Sequence, residues 1–143
     1  MSEHADRVTH VLLYSDDRTV RDQVRLALGR RLADDIPPLE IDEAATQGGV
    51  LRAVAEQTYD VMILDGEAVP SGGMGLSHQL KDELTPCPPI VLLVARLADA
   101  WLASWSRADA IATHPIDPVA LPATLADVLR ARATLAPQPA GQP

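Results

Sequence analysis

The chain has 143 residues, a formal net charge of −8 and a pI near 4.8. That length suffices for one domain with a substantial core, while the acidity argues against nucleic-acid binding, which needs a basic face, and against anionic membrane surfaces. One cysteine, Cys87, offers no internal disulfide and fits a reducing cytoplasm, and the charged first ten residues hold no apolar signal core.

Residues 1–7 read as an N-terminal extension. Val8–Ser15 is apolar enough for a buried strand and runs into Asp16-Asp17. Asp17 or Arg18 opens a helix with apolar residues at Val20, Val24, Ala27, Leu28 and Leu32, a helical spacing. Pro37-Pro38 ends it and leads into a short strand, Leu39–Ala44. Thr46 is placed to cap a helix through Val50, Leu51, Val54 and Ala55. Val61–Asp65 is the third strand, followed by a long loop to Met74 and a helix over Gly75–Leu84. Its glycines, Gly72-Gly73-Met74-Gly75, form no phosphate-binding loop, because no Gly-Lys-Ser/Thr follows. Pro86-Cys87-Pro88-Pro89 resets the chain before Ile90–Val94, an unbroken apolar run of the kind a central parallel strand requires. Leu97–Ser106 reads as a helix carrying Trp101 and Trp105 four apart on one face. Ala110–Thr113 is a short fifth strand ending at His114-Pro115, and Asp117 caps a last helix through Leu121, Leu125, Val128 and Leu129. The domain is expected over 8–132, with a disordered Pro- and Ala-rich tail over 133–143.

Strands alternating with helices in this way give an α/β fold, a five-stranded parallel doubly wound sheet with helices on both faces. Two of the strands end on acids, at Asp16-Asp17 and at Asp65. A parallel sheet brings such ends together at its C-terminal edge, where α/β proteins do their chemistry. Converging carboxylates suit a hard cation such as Mg2+, or an aspartate that accepts a phosphoryl group.

The order strand–Asp-Asp, strand–Asp, strand, strand–x-Pro resembles the receiver domain of two-component response regulators, the CheY-like superfamily, over about residues 7–132. Val11-Leu12-Leu13-Tyr14-Ser15-Asp16-Asp17 resembles the family's first strand and acidic pair. Tyr59–Asp65 resembles the strand that carries the phosphoacceptor, which falls on Asp65. Pro89–Arg96 and Ala108–Asp117 resemble the fourth and fifth strands. The resemblance implies a flavodoxin-like receiver fold and a phosphorelay role. It also implies a Mg2+ site from Asp16, Asp65 and the backbone carbonyl of Glu67.

Departures from the family pattern fall on functional positions. Ser15 stands where the family has its first acid, Val94 where it has a hydroxyl, Ile111 where it has the switch aromatic, and His114 where it has lysine. Water or the serine hydroxyl can replace one Mg2+ ligand, so the resemblance implies a weakened site. Valine has no hydroxyl to bond a phosphoryl oxygen, and isoleucine cannot make an aromatic swing. Asp17 reads as a helix cap, and His4, His10 and His78 show no ligand spacing.

The leading expectation is a single-domain atypical receiver, not an enzyme, that binds another protein or a second copy of itself. Its surface would comprise Trp101, Trp105 and Ile111, on the face made by the tryptophan helix, the fifth strand and the last helix. The alternatives are a working phosphoacceptor modified on Asp65 by a histidine kinase, and a flavodoxin-like ligand-binding domain. No cofactor signature and no nucleophile–base pair favour the last.

Overall fold

The computed structural model describes residues 7–69, 71–95 and 104–135. The chain alternates β1 (Thr9–Tyr14), α1 (Arg18–Leu28), β2 (Leu39–Ala44), α2 (Gln47–Glu56), β3 (Val61–Asp65), α3 (Gly73–Glu83), β4 (Ile90–Val94), β5 (Ala110–Thr113) and α4 (Ala120–Leu135). The five strands form one parallel sheet in the order β2-β1-β3-β4-β5. Strands β3 and β4 are buried along their whole length, as their continuous apolar runs require for central strands covered on both faces. Strand β5 lies at the edge and is only half-buried.

Alternation along β1 divides its side chains between two cores. Leu12 and Tyr14 pack with Val50 of α2 and Leu76 and Leu80 of α3. Val11 and Leu13 pack with Val24 and Leu28 of α1 and Leu121, Leu125 and Val128 of α4. Each buried aliphatic side chain here contributes roughly 1.5–3 kcal/mol relative to exposure. Among the described residues, no helix is long and apolar enough to cross a membrane.

Three helix boundaries differ from the sequence reading. Helix α1 stops at Leu28 because Gly29 takes a left-handed φ of 62° and donates its N–H to the Arg25 carbonyl. Leu32 therefore lies beyond α1, although it still packs on that core. Helix α3 begins at Gly73, two residues before Gly75. A Cβ at Gly73 would lie 2.7 Å from the Asp65 carbonyl oxygen, so only glycine lets the helix start this close to β3. At the other end, α4 runs to Leu135, and Ala133 and Thr134, assigned to the tail by composition, are helical. The Thr134 hydroxyl donates to the Arg130 carbonyl at 3.0 Å, a bond composition does not reveal. Of the expected tryptophan helix, only its end at residues 104–106 is described, and Trp101 lies outside the described residues.

Candidate functional site at the C-terminal edge of the sheet

Asp65 closes β3 and is 2% exposed. Its Oδ2 accepts the hydroxyl of Ser15 at 2.7 Å, across the β1–β3 pairing. Its Oδ1 accepts the backbone N–H of Glu67 at 2.9 Å and lies 3.1 Å from His114 Nε2. The residue after β5 is delivered there because the His114 N–H bonds the Val94 carbonyl, which extends the β4–β5 ladder by one residue. Ser15 is fully buried and held twice more: its Oγ accepts the Asp17 N–H at 3.0 Å, and its carbonyl accepts Arg21 Nη1 at 2.7 Å. Among the described residues, no buried side-chain nitrogen or oxygen lacks a partner.

Electrostatics bind this cluster together. Burial alone would raise the Asp65 pKa, but hydrogen bonds from His114, Ser15 and the Glu67 N–H outweigh it and hold the carboxyl below its ordinary range. The hydrogen bond to Asp65 raises the His114 pKa against the opposing effect of burial, and the Asp65 and Glu67 charges add to the rise. Both shifts favour the charged forms, an imidazolium facing a carboxylate. Burial also pushes up the Tyr14 phenol, with the charges of Asp16 and Asp65 adding to it. That phenol donates to the Ser71 carbonyl in the loop after β3.

The structure thus brings Ser15, Asp65 and His114 into one network, with Glu67 contributing its backbone N–H. Asp16 and the Glu67 side chain are exposed. Asp17 caps α1 by accepting the Thr19 N–H at 2.8 Å, as its position suggests. Val94 is buried in the α2–α3 core, and Ile111 packs against the same core from β5. Trp105 is 52% exposed and stacks on His78, with ring centroids 4.3 Å apart and planes 4° from parallel. Sequence reasoning missed that stack, as it missed Tyr14. In β1, strand alternation puts Tyr14 on the face of α2 and α3, the one signal that pointed to its role.

No family model matches the chain. It is 51% identical over 123 residues to an uncharacterized response regulatory protein of Mycobacterium tuberculosis, covering 86% of this chain and 92% of that one. It is 31% identical over 124 residues to the transcriptional regulatory protein CseB of Streptomyces avermitilis, covering 85% of this chain and 49% of that one. A putative response regulator from Chloroflexus aurantiacus shares the fold with a TM-score of 0.75 at 21% identity, over 87% of this chain and 99% of that one. A CheY-like receiver domain protein from Methanospirillum hungatei does so with a TM-score of 0.71 at 20% identity, over 90% and 98%. The chain belongs to the response regulators, as a receiver domain of two-component signalling.

Receiver domains typically bind Mg2+ at the phosphorylation site. The residues present here do not fit that ion well. Mg2+ demands near-octahedral oxygen ligation, yet both Asp65 oxygens already accept donors, one of them His114. Among the described residues, no group of three or more His, Cys, Asp or Glu side chains is placed to hold a metal ion.

Proposed function

We propose that this receiver works chiefly by protein–protein contact, with Asp65 withheld from ordinary phosphorylation switching. The observation that carries this reading is that Ser15, His114 and the Glu67 N–H already engage both oxygens of Asp65. A phosphoryl donor must reach a carboxylate oxygen in line, and phosphoryl transfer is mostly positioning and charge neutralisation. Here an incoming phosphorus must displace hydrogen bonds to a charged group, each worth about 1.5–3 kcal/mol. With both Asp65 oxygens accepting hydrogen bonds, the Mg2+ site that Asp16, Asp65 and the Glu67 carbonyl would form is at most weak.

Val94 and Ile111 then weaken any response. Moving a two-state element from mostly off to mostly on takes roughly 5.5 kcal/mol of differential contact. A modified Asp65 would find no hydroxyl on Val94 and no mobile aromatic at residue 111.

The proposed partner surface is Trp105 with Ile111; Trp101, expected there from the sequence, lies outside the described residues. Its support is the exposed Trp105–His78 stack and a cavity of about 200 Å³ between β5 and α4, lined by Ile111, Thr113, Ile116 and Leu121. Tryptophan is enriched in binding hot spots. The occupant is another protein or a second copy.

Intact mass after incubation with acetyl phosphate and Mg2+ tests the reading. No labile phosphoryl gain is expected. A gain that disappears in Asp65→Asn overturns it in favour of a working phosphoacceptor, the reading favoured by the placement of Asp65 at the end of β3.

A further inference from the structure

The loop after Asp65 is anchored at both ends. Near its start, the Glu67 N–H bonds Asp65 Oδ1 at 2.9 Å. Near its finish, the Ser71 carbonyl accepts the phenol of Tyr14. Tyr14 lies 1% exposed beside Ser15, whose hydroxyl bonds the other oxygen of Asp65. One anchor bonds Asp65 directly, and the other sits one residue from Ser15 and within the electrostatic reach of the Asp65 charge.

From Ser71 the hydrogen bonds continue outward. The Ser71 hydroxyl donates to Gln47 Oε1 at 2.9 Å, in the first turn of α2. Gln47 Nε2 donates to Gln79 Oε1 at 2.8 Å on α3, and Gln79 Nε2 donates to Glu83 Oε2 at 3.0 Å. Ser71 joins the two parts through different groups, its carbonyl to Tyr14 and its hydroxyl to Gln47, so a displacement of Ser71 is passed on, and from Gln47 the linked amides polarise one another. On the β4–β5 side, among the described residues, the bond from Asp65 reaches His114 at the end of β5, but the side chains of Val94 and Ile111 are apolar and pass no hydrogen bond onward.

We propose that Tyr14 is a positioning residue that couples the Asp65 pocket to the α2–α3 face, through Ser71, Gln47 and Gln79. That face then reads the state of Asp65, while the Trp105 face binds regardless of it. The inference rests on the reading above, in which the β4–β5 route is interrupted. The chemistry the α2–α3 face offers is amide and carboxylate, from Gln47, Gln79 and Glu83, which suits a polar partner segment rich in hydrogen-bond donors.

Amide hydrogen exchange followed by NMR on the full chain tests it, with Asp65→Asn as the perturbation. The reporters are the amides of Val50 and Leu76, in the first turns of α2 and α3, and of Ile111 in β5. In the otherwise native chain, Asp65→Asn is expected to shift exchange at Val50 and Leu76 several-fold and leave Ile111 unchanged. In a Tyr14→Phe background that response is expected to vanish, although Tyr14→Phe alone speeds exchange at Leu76 about fivefold through one lost hydrogen bond. Gln47→Ala, which leaves the core untouched, is expected to remove the response at Val50 and keep it at Leu76. A merely structural tyrosine would change basal exchange without abolishing the response to residue 65. A response independent of Tyr14, or none at Val50 and Leu76, overturns the inference and leaves the reading standing. A response at Ile111 overturns the reading itself, because the β4–β5 route would then be intact.

Discussion

Ser15 and His114 together replace what two other residue types would do at this edge, and each substitution has a measurable consequence. A carboxylate at position 15 would sit where the serine hydroxyl lies 2.7 Å from Asp65 Oδ2. Ser15→Asp is therefore expected to destabilise the protein without metal, since two buried carboxylates so close cannot both ionise freely. Mg2+ should reverse that loss, because ligand binding to the folded state stabilises by RT ln(1 + [L]/Kd). Thermal melts with and without MgCl2 are expected to show a rise for Ser15→Asp and little change for the native chain. His114 gives a pH signature. Its folded pKa is raised, so its contribution is full below the ordinary histidine value of about 6.5 and fades as pH climbs through the folded value. The Asp65 pKa is lowered, so its contribution is present above about 3.9 and is lost as pH falls through the folded value. The stability gap between the native chain and His114→Asn should therefore be widest near pH 5–6, between the two ordinary values, and narrow as pH climbs through the raised histidine value, read by urea denaturation. A constant gap would mean that the imidazole is uncharged. That His114, Ser15 and Asp65 share one neighbourhood was legible from strand ends and the family pattern. That they bond one another was not, since hydroxyl and imidazole orientations depend on distances that sequence spacing does not set.

Helix boundaries without a side-chain cap were the least legible features, and the start of α3 shows why. Periodicity places its start at Gly75, but a local pattern cannot report that the Gly73 Cα lies against the Asp65 carbonyl. Gly73→Ala is expected to cost about 1–3 kcal/mol, the usual range for overpacking, and to displace Asp65 as well. The combined signature is a lower denaturation midpoint with a shifted Asp65 side-chain resonance. Caps, by contrast, were legible, because a cap is a local hydrogen bond. Asp117 accepts the N–H groups of Val119 and Ala120 at 2.7 and 2.9 Å, and these bonds lower its pKa. Thr46 likewise accepts the Gly49 N–H at 2.9 Å to open α2. The strands were read almost to the residue, because buried parallel strands demand unbroken apolar runs and these demands are as local as the caps.

The molecule as a whole is a sheet with two separate cores, and the proposed function turns on how strongly those cores communicate. A receiver that switches broadly must carry a change at Asp65 to both sides of the sheet. One whose β4–β5 route lacks its hydroxyl and its aromatic should behave as two faces sharing a stiff floor. Val24 lies fully buried in the α1–α4 core and Val50 fully buried in the α2–α3 core. Truncating either to alanine removes two methylene equivalents, about 1.6 kcal/mol at 0.8 kcal/mol each, before any cavity cost. Sites on opposite faces with no shared partner normally add within about 0.5 kcal/mol. The double variant Val24→Ala/Val50→Ala is therefore expected to lose the sum of the single losses, with an unchanged denaturant slope. Coupling of more than about 1 kcal/mol in that cycle would mean that the central strands move as a switch between two packings. The protein would then possess the long-range two-state element that Val94 and Ile111 argue against, and Asp65 would be better placed to drive it than its three hydrogen bonds suggest.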